Sequence, residues 1–141
     1  MSEKEYNMRF ENRLSRDIMT RDVITVPMND TVKHIANVLS RKRISSVIVT
    51  NHDGEAMGVI TDTDILKVIG KGNYENICAE NVMTHNLESV KPTSTLTEAA
   101  IIMREKHIHR LLVFSEGGVG ASHRPIGILT AGDIVREVAR E

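Results

Sequence analysis

Gly58-Val59-Ile60-Thr61-Asp62-Thr63-Asp64-Ile65-Leu66 returns later in the chain as Gly127-Ile128-Leu129-Thr130-Ala131-Gly132-Asp133-Ile134-Val135. Each copy reads as a short buried strand, a Thr, a two-residue gap, an Asp and the first apolar residues of a helix. A strand that runs straight into a helix leaves backbone N–H groups free at the helix start, where negative charge is favoured. Thr-x-x-Asp at such a junction has two readings. It can cap the helix, with Thr accepting an early N–H and the carboxylate meeting the positive helix end. Instead or in addition, the carboxylate can accept both hydroxyls of a ribose cis-diol, as an acidic residue does in dinucleotide-binding folds. Both copies keep Thr and Asp while the residues between them drift from Asp62-Thr63 to Ala131-Gly132. Capping alone does not account for that.

The duplication extends through the chain. Asp17-Ile18-Met19-Thr20 recurs as Asn81-Val82-Met83-Thr84, and at the same offset of 64 Val26 falls on Val90, Thr31 on Thr95, Ile44 on Ile108 and Val49 on Val113. The closing stretch recurs at an offset of 69, so the second copy carries five extra residues. Such a repeat marks a supersecondary unit that packs against its own copy. In each unit a short strand (Ile24-Thr25-Val26, Glu88-Ser89-Val90) ends near a proline. A helix follows, with apolar residues at Val32, Ile35, Ala36 and Leu39, repeated at Leu96, Ala99, Ala100 and Met103. Asp30 or Thr31 caps the first helix, and Thr95-Leu96-Thr97-Glu98 reads as a capping box for the second. Two apolar runs without alternation predict a pair of buried strands in each unit, joined by the turn Asn51-His52-Asp53-Gly54 in one and by a glycine-rich insertion, Ser115 to Arg124, in the other. A last helix closes each unit, carrying Ile65, Leu66, Val68 and Ile69 or Ile134, Val135 and Val138.

The expected architecture is α/β (α+β): two β-α-β-β-α motifs packed about a pseudo-two-fold axis, with two related clefts between them. Residues 1–13 form a tail or short helix, 14–72 the first motif, and 73–141 the connector and second motif.

Bulk properties exclude several classes. With 18 basic against 19 acidic residues the net charge is −1, so no field selects nucleic acid or an anionic membrane surface. Aromatic residues make up 3% of the chain, leaving little to stack on exposed bases. The single cysteine, Cys78, precludes an internal disulfide and fits a reducing compartment. There is no apolar run of membrane-spanning length and no signal-peptide core in Met1–Tyr6, so a cytoplasmic protein is expected. Six histidines without a second ligand cluster give no metal site. The Glu116–Ser122 glycine loop lacks Gly-Lys-Ser/Thr and joins two strands, so it is a hairpin tip and no phosphate loop. Nor does any nucleophile–base pair carry a catalytic signature, and no enzyme activity is assigned.

The paired unit, opening with Asp-Ile-Met-Thr and closing with Gly-Val-Ile-Thr-x-x-Asp-Ile-Leu, resembles a tandem pair of cystathionine β-synthase (CBS) domains, or Bateman module, from about Leu14 to Arg140. The resemblance implies clefts for adenine nucleotides (AMP, ADP, ATP) or related S-adenosylmethionine or NAD-type ligands. No obligatory cofactor is implied, and ligand level is reported to an unknown regulated protein, with pairing through helices into a homodimer. It puts Asp64 and Asp133, with Thr61 and Thr130, on the ribose. It puts His109 and Arg110 on phosphate, a role that suits the planar guanidinium fork, although an Arg at a strand edge is otherwise merely solvated. Ser45 and Ser46 hold the matching positions without charge. Thr20 and Thr84, with Ile18, Met19, Val82 and Met83, head the cleft-lining strands; they contact a purine, or their methionines pack into the core. The rivals to this reading are a ligand-free dimerisation module and a small nucleotide-acting hydrolase.

Overall fold

The structure, a computed structural model, describes residues 12–85, 87–115 and 124–140. Most of the 1–13 tail and the hairpin tip within Glu116–Ser122 lie outside that range. The elements in order are α1 (Ser15–Ile18), β1 (Thr25–Pro27), α2 (Val32–Lys42), β2 (Ser46–Thr50), β3 (Ala56–Thr61), α3 (Asp62–Leu66), β4 (Ser89–Val90), α4 (Leu96–Lys106), β5 (Arg110–Phe114), β6 (Pro125–Thr130) and α5 (Ala131–Ala139), with 3-10 turns at Tyr74–Asn76 and Ala79–Asn81. They form two three-stranded sheets, ordered β1-β2-β3 and β4-β5-β6. In each the first pair is parallel and the second antiparallel.

The chain divides into a central unit, Val23–Leu87, and a C-terminal unit formed by Glu88–Glu141 with Met1–Asp22. Packed unit and sequence repeat are therefore offset. The lead of the first repeat belongs to the unit built from the second, and residues 73–87 belong to the unit built from the first. Backbone pairing is the cause. Thr20 exchanges both hydrogen bonds with Ile128 on β6 (2.8 and 3.0 Å), and Thr84 does the same with Val59 on β3 (2.9 and 3.1 Å).

In the central unit the sheet packs α2 through Val26, Ile35, Leu39, Val47, Val49 and Ile60, joined by Met83. Val47, Ile48 and Val49 are all fully buried, as a run without alternation demands. Thr31 caps α2 by accepting the His34 N–H at 3.2 Å, and Arg43 ends it in the left-handed region. The hairpin turns where Asn51 Oδ1 accepts the N–H groups of Asp53 and Glu55 and Gly54 adopts φ 82°. The last helix is shorter than its apolar run suggests. After Leu66 the chain tightens into i→i+3 turns (Val68 to Ile65, Ile69 to Leu66) and stops at Gly70, φ 96°.

The C-terminal unit repeats this plan around Met19, Val90, Leu96, Met103, Leu111, Val113, Leu129 and Ile134. Thr95 caps α4 by accepting the Glu98 N–H at 3.1 Å, which is the helix-ward arm of the expected box. Arg13 and the start of α1 dock here: Leu96 N–H donates to Arg13 O, Ser15 N–H to Ser94 O and Arg16 N–H to Pro92 O. Glu137, 6% exposed, is paired with both Arg13 and Arg140. Its counterpart at the 69-residue offset is Val68, also buried. A carboxylate thus takes an apolar core position, and the two guanidinium partners offset its desolvation.

One contact recurs in both units. A Cβ added at Gly58 would lie 2.5 Å from Met83 Sδ, and one at Gly127 would lie 2.4 Å from Met19 Sδ and 3.1 Å from Thr20 O. Only glycine admits the methionine at these points and, at Gly127, the Thr20 carbonyl as well. Gly58→Ala and Gly127→Ala should each cost about 1–3 kcal/mol in urea melts, as overpacking does. Gly132→Ala in α5, where the nearest atom is 3.5 Å away, should be neutral or stabilise by up to about 1 kcal/mol.

Candidate functional site

Both copies of the opening motif form a full capping box. In the central unit Thr61, extended at the end of β3, accepts the Asp64 N–H on Oγ1 at 3.2 Å, and Asp64 Oδ2 accepts the Thr61 N–H at 2.9 Å. In the C-terminal unit the matching distances for Thr130 and Asp133 are 3.1 and 2.9 Å. Asp64 is 3% exposed and Asp133 8%. A buried carboxylate needs partners for its second oxygen as well. Asp64 Oδ1 receives the Thr84 hydroxyl at 3.2 Å and the Lys67 ammonium at 3.4 Å, and Asp133 Oδ1 receives the Arg136 guanidinium.

The structure assigns the sequence-predicted residues to two groups. Thr61, Asp64, Ser45, Ser46, Val82, Met83 and Thr84 lie in the central unit, and Ile18, Met19, Thr20, His109, Arg110, Thr130 and Asp133 in the C-terminal unit. Ser46 stands directly opposite Thr61 across the β2–β3 ladder, and Arg110 opposite Thr130 across β5–β6. Directly opposed residues share a sheet face, so Arg110 stands beside the Asp133 capping box. Its Nε is buried without an acceptor among the described residues. His109 is exposed, and its carbonyl accepts the Ala131 N–H at 2.8 Å, anchoring the start of α5. Ser45 is exposed. Met19 and Met83 pack in the cores, whereas Ile18 and Val82 are half-buried. An apolar groove of about 540 Å³ in the C-terminal unit runs past Met103, Ile108, His109, Ala131, Ile134 and Val135.

Sequence reasoning missed the cations at Lys67 and Arg136. The signal was present: the offset of 69 pairs them, each three residues after its Asp, where helical side chains meet. Among the described residues no three His, Cys, Asp or Glu side chains are grouped to hold a metal ion, and no helix is long and apolar enough to cross a membrane.

The CBS domain family model matches twice, over residues 15–71 and 79–140. The chain belongs to the CBS domain family. It is 31% identical over 122 residues to an uncharacterised protein of Methanopyrus kandleri, covering 85% of this chain and 60% of that protein. It is 28% identical over 127 residues to a homoserine O-acetyltransferase of Methanococcus vannielii, covering 89% of this chain and 25% of the enzyme. The chain thus spans less than two thirds of either relative. Among solved structures it resembles a CBS domain pair in complex with 5′-methylthioadenosine and S-adenosyl-L-methionine, with a TM-score of 0.80 and 25% identity over 91% of this chain and 97% of that one.

The capping boxes carry a stability prediction that needs no ligand. Thr61→Val and Thr130→Val keep the side-chain shape and remove the acceptor for the N3 N–H. Each should lower unfolding free energy by about 1 kcal/mol, read from the midpoint of a denaturant melt.

Proposed function

We propose that this CBS pair is a regulatory module that binds an adenosine-containing ligand and thereby alters its association with a protein partner in the cytoplasm. The ligand is AMP, ADP or ATP, in which case the module senses energy state, or a compound of the S-adenosylmethionine or NAD type. The observation that carries this reading is the buried Asp133 carboxylate beside Arg110, whose Nε has no acceptor among the described residues. A ribose diol on the first and a phosphate on the second satisfy both groups. The structural resemblance to a pair bound to two adenosine compounds supports it.

Ribose hydroxyls donate to Asp133 or Asp64, whose orientation Thr130 and Thr61 hold. Arg110, with His109, receives phosphate in the C-terminal unit, while Ser45 and Ser46 offer hydroxyls without charge in the central unit. Ile18 and Val82, backed by Met19 and Met83 and flanked by Thr20 and Thr84, supply apolar surface and main-chain groups for the purine. No covalent step is assigned. The module works by linkage: a ligand that stabilises one arrangement favours any partner that prefers it. Leu66 and Ile69 are 69% and 52% exposed, and their counterparts Val135 and Val138 are 64% and 47% exposed. Apolar helix surface of that extent favours self-association as a homodimer.

A thermal-shift series tests the reading. At a hundredfold excess over Kd a ligand adds about 2.7 kcal/mol, enough to raise Tm by several degrees. AMP, ADP, ATP, NAD or S-adenosylmethionine should do so, and Asp64→Asn combined with Asp133→Asn should abolish the shift. An unmoved Tm with all five compounds at millimolar concentration would remove the sensor reading. Light scattering should give a dimer mass for the wild type and a monomer mass for Leu66→Glu/Val135→Glu.

A further inference from the structure

The two buried carboxylates are not equally engaged. An ionised carboxylate offers about four lone-pair positions. Four donors converge on Asp64: Thr61 N–H at 2.9 Å and Thr61 Oγ1 at 3.1 Å on Oδ2, Thr84 Oγ1 at 3.2 Å and Lys67 Nζ at 3.4 Å on Oδ1. Asp133 receives two among the described residues, Thr130 N–H on Oδ2 and Arg136 on Oδ1. The 64-residue offset makes Thr20 the counterpart of Thr84, and both are tied to a strand through the backbone, but only the Thr84 hydroxyl reaches a carboxylate. A cis-diol brings two donors and needs two acceptor positions. Asp133 has them open. At Asp64 a diol must first displace Thr84 and Lys67.

We infer that Asp133 is the carboxylate that takes a ribose first, and that Thr84 and Lys67 are specificity-determining residues that gate Asp64. The inference rests on the adenosine reading above and adds an order of filling to it. The gate is weak enough to be reversible. Lys67 is 70% exposed, and an exposed ion pair contributes little. Thr84 is also exposed, so its displaced hydroxyl finds water. Together the two donors should weaken the central unit's affinity by about three- to tenfold.

Adenosine is the probe, because without a phosphate it cannot recruit Lys67 as a partner. Titrating it into the isotope-labelled chain and following amide shifts reads Thr61–Asp64 separately from Thr130–Asp133. In the wild type the shifts at Thr130–Asp133 should saturate first. Asp133→Asn should abolish that phase and Asp64→Asn should leave it intact. Lys67→Met with Thr84→Val, both surface changes, should tighten the Thr61–Asp64 phase about three- to tenfold and leave the other unchanged. Earlier saturation at Thr61–Asp64, or no response of that phase to Lys67→Met/Thr84→Val, would overturn the gate while leaving the adenosine reading standing. An absence of any shift with adenosine and with AMP, in wild type and variants alike, would remove that reading and the gate together.

Discussion

The reciprocal hydrogen bonds between Thr and Asp at each strand–helix junction are the constraint on which the site depends. At Thr61 and Thr130 the backbone leaves a sheet and enters a helix within one residue, so the Thr N–H has no ladder partner and the Asp N–H no helical one. The side chains exchange acceptors and both groups are satisfied. This brings the carboxylate back over the sheet edge, where Asp64 and Asp133 are almost fully buried. Under the proposed function, capping and ligand reach are complementary uses of one side chain. Oδ2 serves the fold in both units, and Oδ1 is the atom whose partners differ.

A second constraint follows from the glycines at the head of the same motif. Gly58 and Gly127 lie where a Met-Thr segment crosses the strand, and the methionine fills the space a side chain would need. Each crossing comes from the repeat that does not supply the strand. The lead of one repeat is thus a structural part of the other repeat's unit, and the two copies cannot be cut apart in sequence without removing a strand neighbour from each.

The two units repeat one order of strands and helices but carry different chemistry. The C-terminal unit has Arg110, Arg136 and His109 around an uncharged helix start, Ala131-Gly132, whereas the central unit has Lys67, Ser45 and Ser46 around Asp62-Thr63. An anion is favoured at the first and opposed by Asp62 at the second. The duplicated frame thus leaves substitution free to tune each carboxylate separately.

Most of the fold was readable before any coordinates. Apolar periodicity located α2 and α4, unbroken apolar runs located β2, β3, β5 and β6, and the offsets of 64 and 69 paired the copies. Such signals are local, because they arise from how a side chain meets its own helix or strand. The family and the candidate Thr and Asp residues came from the same motifs. The unit to which Ile18-Met19-Thr20 belongs could not be read, since a strand crossing is made by backbone atoms that carry no sequence identity. Nor could the unequal saturation of Asp64 and Asp133. Thr20 and Thr84 are the same residue type at equivalent positions, and only the packed structure brings one hydroxyl within 3.2 Å of a carboxylate and leaves the other without that bond. Hydrogen bonds are won or lost over fractions of an ångström, a scale that tertiary packing sets and residue type does not.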